Sequence, residues 1–221
     1  GTCIVGQEVV VEEDAVIDCG ATNIQISGSG SLVSHGHRFT IIAGDLTVEP
    51  GVRVVADAAT ANPTGFEFDL SGSADVRGKL IAINGGRGSS VAISASNGIS
   101  IAGTGTAIDV SGAGQSMDGG NVFLSSAAGV DIATLIDASG YNGSGEQNES
   151  YGGDIVVSAG DDITISNELR STGRRLGGGG VFLSAANNIN IAAPNGLLNL
   201  EGRGDYGYGG VVEINAGNAV T

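Results

Sequence analysis

The chain has no tryptophan, one lysine, one methionine, two cysteines and three prolines among its 221 residues. Each shortage excludes something. With Trp absent and aromatics at 4%, a wide globular core is not available, so the interior must come from Val, Ile, Leu and Ala. One Lys, eight Arg and a net charge of −15 leave no clustered cations for phosphate, which argues against nucleic acid and against anionic membrane surfaces. No apolar run reaches about 18 residues, so no transmembrane helix is expected.

Cys3 and Cys19 stand 16 residues apart near the N-terminus. A disulfide pinning the first turn, in an oxidising compartment, is the expected reading; two buried thiols are the alternative. The chain starts at Gly1 without a signal peptide, as a mature or trimmed sequence would.

What is abundant is glycine, 40 residues or about 18% against a usual 7%. It coexists with 41% hydrophobic residues, enough to bury a narrow, repetitive interior. Acidity keeps such an edge-bearing β protein soluble.

Internal repeats organise the chain. Val91-Ala92-Ile93-Ser94 leads to Ile99-Ser100-Ile101. Val122-Phe123-Leu124-Ser125 leads to Val130-Asp131-Ile132. Ile155-Val156-Val157-Ser158 leads to Ile163-Thr164-Ile165, and Val181-Phe182-Leu183-Ser184 to Ile189-Asn190-Ile191. The second segment starts eight residues after the first, and both have the two-residue period of a strand. A third segment follows at Ile108–Gly112, Ile136–Gly140, Leu198–Gly202 and, in degraded form, Leu169–Gly173. First segments begin at Phe66, Val91, Val122, Ile155, Val181 and Val212, with periods of 25, 31, 33, 26 and 31. One repeat is therefore three short strands and three corners, with Asn-Gly, Asp-Asp or Asn-Asn at a tight corner. Before Phe66 a looser alternation (Val9/Val11, Val16, Ile24/Ile26, Phe39/Ile41, Leu46/Val48, Val52/Val54) adds about two coils.

The expected fold is all-β: a right-handed single-stranded parallel β-helix of about eight coils of three short strands, roughly 35–40 Å long at the usual strand spacing. Residues 1–64 read as N-terminal capping coils with Cys3 and Cys19. Residues 65–221 read as regular coils continuous with them. Val211 to Thr221 stops partway through a coil, which suits either a fragment of a longer solenoid or an end that docks head-to-tail on another chain.

The insertions that change the period all leave one corner, after the third strand: Gly85–Ser90, Ala113–Gly120, Tyr141–Gly153, Arg174–Gly180 and Arg203–Gly210. All four tyrosines fall there. Tyr among Gly, Ser and Asn is a binding-loop composition, and loops on a rigid scaffold are where function concentrates. Tyr141, Tyr151, Arg174, Arg175, Arg203, Asp205, Tyr206 and Tyr208 are the candidate ligand-binding residues, with glycans favoured because Tyr rings stack on sugars. The opposing reading is an edge that merely tolerates polar insertions. Phe123, Val156 and Phe182, with Ala92, form an outward apolar strip that suits a partner or ordinary cross-strand stacking.

Other motifs are weaker. Arg203-Gly204-Asp205 matches a cell-attachment tripeptide. His35-Gly36-His37 lacks a third metal ligand, so no metal site is expected. Asp161-Asp162 leaves weak Ca²⁺ binding open but sits where turn chemistry explains it; no cofactor is expected. Parallel β-helices include pectin-degrading enzymes, but the Gly-His-Gly and Arg-x-Lys elements of the hydrolases are missing in the required order. No convergent pair of ionisable groups can be placed. No enzyme is expected.

The repeat Gly-Gly-x-Val-x-Leu-Ser-Ala-x-x-x-Ile-x-Ile, as in Gly179–Ile191, resembles repeats of filamentous-haemagglutinin-like bacterial exoproteins and of Gly-rich β-helical surface proteins. The resemblance covers roughly residues 65–221. It implies secretion to the cell surface, a right-handed β-helix, and adhesion or matrix building. Pro194-Asn195-Gly196 is similar to part of their Asn-Pro-Asn-Gly signature, with Ala193 in place of the first Asn. The functional expectations are an adhesive or matrix solenoid whose partners are glycans or copies of itself, a polysaccharide-active lyase or hydrolase, or an end-to-end filament subunit.

Overall fold

The structure, a computed structural model, describes residues 1–58, 65–114, 116–141, 149–192, 197–204 and 207–221. Its described residues contain strands and turns and no α-helix. The chain winds through three parallel sheets in strict rotation. The first face holds Ala15–Asp18, Phe39–Ala43, Phe66–Leu70, Val91–Ala95, Val122–Ser126, Ile155–Ala159, Gly180–Ala185 and Val211–Ala216. The second holds Thr2–Val5, Asn23–Ile26, Leu46–Val48, Ser73–Val76, Gly98–Ile101, Gly129–Ile132, Ile163–Ile165 and Ile189–Ile191. The third holds Glu8–Val11, Ser31–Ser34, Arg53–Ala58, Lys79–Asn84, Thr106–Asp109, Leu135–Asp137, Glu168–Arg170 and Leu197–Asn199. This is a three-sided parallel β-helix of eight coils, and each sheet runs across residue 64 without a break.

The register follows the sequence repeat residue for residue. Phe66, Val91, Val122, Ile155, Val181 and Val212 pair in succession on the first face. Ile99, Val130, Ile163 and Ile189 do so on the second, and Ile108, Ile136, Leu169 and Leu198 on the third. A one-residue slip would turn every inward aliphatic to solvent, so the period-2 pattern fixes the stacking. After Ala216 the chain turns back onto the second face, where Val220 pairs with Ile189.

The core differs from the aliphatic expectation in one place. Phe39, Phe66 and Phe68 are fully buried, and they are among the largest side chains inside. Phe39 stacks on Phe66 at 5.2 Å, and Phe66 meets Phe68 edge-on at 5.7 Å. In-register stacking puts Phe66 directly on Phe39, so three rings fill the second and third coils while Val, Ile, Leu and Ala fill the rest. At the two ends core positions lose their cover: Val9 is 41% and Val212 47% exposed. Val16 points outward, and Ala15 and Ile17 take the inward positions.

Two corner devices hold successive coils together. Asn and Asp side chains accept the backbone N–H of the next coil. Asn23 Oδ1 takes Asp45 N (3.0 Å), Asp45 Oδ1 takes Ser73 N (2.7 Å), and Asp162 Oδ1 takes Asn188 N (2.9 Å). Where the chain enters the first face, Asn121 takes Asp154 N and Asp154 takes Gly180 N, both at 2.8 Å. These bonds satisfy amides that the strand ladders leave over.

The second device is a column of glycines two residues before the rank of Val122, Ile155, Val181 and Val212 on the first face. A Cβ on Gly120 would lie 1.8 Å from the Ser89 carbonyl oxygen. One on Gly153 would lie 1.9 Å from Gly120 O, on Gly179 2.1 Å from Gly153 O, and on Gly210 1.9 Å from Gly179 O. Backbone passes over backbone there with no room for a side chain. That is the physical content of the repeat's Gly-Gly.

Candidate functional site

The corner between the third and first faces departs most from a plain coil. In the coil of Lys79–Asn84 it folds into a hairpin, Arg87–Gly88 pairing antiparallel on that strand. In the next coils the inserted chain builds a fourth, three-stranded parallel sheet of Ser150–Tyr151, Gly173–Gly177 and Gly202–Arg203. The insertions are therefore stacked like the rest of the rod. Ser171 anchors them. It occupies the inward rank of Val110 and Ala138, is fully buried, donates its hydroxyl to Gly153 O (2.5 Å) and accepts Gly179 N (3.1 Å). The degraded third segment is thus a polar tie under the fourth sheet.

Five of the eight candidate residues come together on this sheet. Tyr151 ends its first strand and is 51% exposed. Arg174 and Arg203 pair in register. Arg174 and Arg175 lie opposite Ser150 in a bulge, with Arg175 at φ 63°. Arg203 Nε binds Glu201 at 3.0 Å. Tyr208 bridges to Gly177 and is 75% exposed. Tyr141 is tied down by its backbone: its N–H donates to Met117 O (2.9 Å) and its carbonyl accepts Ser150 Oγ (3.0 Å). Asp205 and Tyr206, and with them the end of Arg203-Gly204-Asp205, lie outside the described residues, as does Pro194-Asn195-Gly196.

Asp118 holds the corner from the coil below. Asp118 accepts Tyr151 N (2.9 Å) and pairs with Arg87 (3.3 Å). On the neighbouring third face Glu168 binds Arg170 and Asn199, and these bonds hold its carboxyl below the usual range. Sequence reasoning missed Gly177, which pairs with both Tyr151 and Tyr208. In a run of four glycines nothing marks which one faces the ring side chains.

Elsewhere, Ala92, Phe123, Val156 and Phe182 stack in register. Phe123 is 42% exposed; Val156 and Phe182 are half-buried, the latter with its ring over Gly180. His35 binds Asp57 at 2.8 Å and His37 faces Asp14 at 3.7 Å. Asn187 and Asn188 bond to Asp161 and Asp162 across the corner. Among the described residues no group of three or more His, Cys, Asp and Glu side chains converges as a metal site, and no helix is long and apolar enough to cross a membrane.

Cys3 and Cys19 meet where the first coil closes on itself. Both are free thiols in this structure, with Cys19 close enough to Cys3 to feel its charge. Burial, the bond to Cys3 and the nearby charges push the Cys19 thiol up to about 11. On the second face Gly98 and Gly129 interrupt the Asn/Asp rank and open a shallow trough of about 420 Å³ beside Ser100 and Asp131.

No family model, curated protein or solved structure matches the chain.

Proposed function

We propose that the chain is a non-catalytic, extracellular structural and adhesive β-solenoid of a bacterial surface or matrix, and that its contact edge is the corner carrying the fourth sheet. The observation that carries this reading is the distribution of variation. Three faces repeat in register, while the largest changes of length and all four tyrosines fall at the corner between the third and first faces. A rod that presents side chains of one edge at regular intervals suits multivalent attachment to a polymer, where several weak contacts add through effective concentration. The partners are glycans, with weak Ca²⁺ dependence left to the assay. In the oxidising surroundings this places it in, Cys3 and Cys19 close into a disulfide. The resemblance of the Gly-Gly-x-Val-x-Leu-Ser repeat to haemagglutinin-like exoproteins points the same way.

The test is a broad glycan array probed with the purified chain, with Ca²⁺ and with chelator. Reproducible binding supports an adhesin. Silence under both conditions refutes it and favours a filament unit joined end to end, which concentration-dependent sedimentation would reveal. Release of reducing or unsaturated sugar from the same polysaccharides would instead establish the hydrolase or lyase reading.

A further inference from the structure

We infer that the first face pairs with the first face of a second copy of this chain, through the outward column Ala92, Phe123, Val156 and Phe182. The inference goes beyond the adhesive reading and stands apart from it. Away from the two end coils and the fourth sheet, Phe123 is the one exposed large hydrophobic side chain among the described residues, at 42%. Its column continues through half-buried Ala92, Val156 and Phe182, paired rung on rung. Two residues further along the same strands runs a second outward column of exposed hydroxyls, Ser94, Ser125, Ser158 and Ser184. The face is therefore an apolar stripe beside a serine stripe, both running along the rod. Glu67 and Glu213 close the apolar stripe at its ends.

The order of sizes identifies the occupant. Along the rod the apolar stripe reads Ala, Phe, Val, Phe. Consider a two-fold axis in the interface, lying along the strands between Phe123 and Val156. It reverses the order of rungs and keeps each residue's place on its strand. Ala92 then meets Phe182 of the second copy and Phe123 meets its Val156, so every ring faces a smaller side chain. Ser94 meets Ser184 and Ser125 meets Ser158, hydroxyls that both donate and accept. Moving the axis by half a rung sets Phe123 against itself or against Phe182. An axis along the rod sets each ring on its own copy or on the serine stripe. One register alone satisfies both stripes.

The relief of the surface agrees. A dent of about 130 Å³ beside Val156 and Phe182, edged by Ser158 and Ser184, lies where Phe123 of the second copy arrives. Sheets packed face to face stand about 10 Å apart, a gap that one ring and one short side chain fill together. At the margins Glu67 comes opposite Glu213, and Arg38, bound to Glu67 at 2.9 Å, offsets that repulsion. Six overlapping rungs at about 4.8 Å, by five residues at about 3.3 Å, cover roughly 480 Å² a side. That is the low end for a specific contact, so the pair is weak and reversible. Because the axis preserves strand direction, the corner that precedes the first face lies on the same side in both copies. A pair therefore presents two fourth-sheet edges together.

Sedimentation velocity over about 5–500 μM, a range suited to a contact of this size, tests the pairing. The expected result is a rise from monomer toward dimer that stops at dimer. Phe123→Ser should abolish it. Ala92→Phe sets ring on ring and Phe182→Ala leaves a gap, so each should weaken pairing about tenfold or more. The double variant Ala92→Phe/Phe182→Ala restores one large and one small side chain at every contact and should recover pairing. Ser125→Glu changes an exposed residue and buries a charge in the contact; it should disperse the dimer with an unchanged far-UV spectrum and urea midpoint, whatever Phe182→Ala does to stability. A monomer at every concentration overturns the inference. So does growth beyond dimer, which marks end-to-end assembly. A dimer indifferent to Phe123→Ser and Ser125→Glu overturns this face as its seat, and a folded double variant no better than its parents overturns the register.

Discussion

Replacing Gly153 and Gly98 by alanine, one at a time, separates the two reasons this chain uses glycine. At Gly153 the new Cβ would lie 1.9 Å from Gly120 O and 2.6 Å from Gly120 C. Carbon and oxygen do not approach closer than about 3 Å without steep repulsion, so the coils must part by roughly 1 Å at this corner. Neither atom belongs to a flexible side chain that can turn away. Overpacking of this kind costs about 1–3 kcal/mol. Parting also strains the bonds from Gly153 N to Ala138 O (2.7 Å) and from Asp154 N to Asn121 Oδ1 (2.8 Å). Losing one such buried bond adds about 1–3 kcal/mol. The expected loss is therefore about 2–6 kcal/mol. At Gly98 the nearest atom to a new Cβ is Gly129 O at 3.6 Å, and φ is not in the left-handed region. Alanine there restricts the unfolded chain without crowding the folded one, for a gain of about 0.4–1 kcal/mol. Urea titration followed by far-UV circular dichroism measures both. With a slope of about 1–3 kcal/mol per molar, Gly153→Ala moves the midpoint down by a molar or more and Gly98→Ala moves it slightly up. Equal shifts, or a Gly153→Ala protein within about 0.5 kcal/mol of wild type, would refute the close-approach account.

Three further measurements follow from the same coordinates. Cys19, raised to about 11, is about a thousandth thiolate at pH 8, so iodoacetamide should modify it slowly there and rapidly only in strong alkali; fast modification at pH 8 counts against the burial. Because the folded value of about 11 lies above the ordinary thiol value of 9.0, its contribution to stability is present below about pH 9 and fades as pH rises through 11. Oxidised glutathione should join Cys3 to Cys19 and stabilise the first coil by about 3 kcal/mol for a loop of this length, read as a melting temperature that drops when reductant is added. Asp45 and Glu168 are both held below the usual carboxylate range, the first by Ser73 N and Oγ, the second by Arg170 and Asn199. Their contribution is present above about pH 4 and lost as pH falls through the depressed values, so Asp45→Asn and Glu168→Gln should flatten the acid limb of stability against pH; an unchanged limb would show these bonds are idle.

The coil, its three strands and its register were legible because one face of every strand is buried. Val91, Val122, Ile155 and Val181 recur with the same polar alternation, and a slip would expose all of them. The place of the longest insertions was legible too, after the third segment, but not that the preceding corner also varies: Ile101 to Ile108 is three residues longer than Ile132 to Ile136, which pair with them. The structure of the insertions was not legible. Ser150–Tyr151 and Gly202–Arg203 are two-residue strands, too short for any period to register. Ser171 reads as a failed core position until its two hydrogen bonds are seen. The cysteine pair shows the same limit from the other side. The 16-residue spacing falls short of a full coil, since Cys3 pairs with Ile24 of the next one, and it does not say whether the sulfurs are bonded.

The acidity of the chain also takes on a structural meaning. Composition alone suggested solubility or a cation ligand. Asp45, Asp118, Asp154 and Asp162 instead each accept an amide of the following coil. A corner that turns a strand through the rod leaves an N–H that no ladder satisfies, and a short acceptor one coil below reaches it. Where the acceptor is Asp rather than Asn, that solution adds negative charge as a by-product of stacking. The arginines of the fourth sheet are then the exception, placed where the chain departs from the plain coil. A surface that is acidic by construction and locally aromatic at one corner repels anionic polymers along most of its length. On the adhesive reading proposed above, contact is expected through stacking and hydroxyl groups at that corner rather than through a general attraction. Raising ionic strength should accordingly leave affinity for a neutral oligosaccharide unchanged, and a steep salt dependence of that affinity would argue against the tyrosine-bearing corner as its seat.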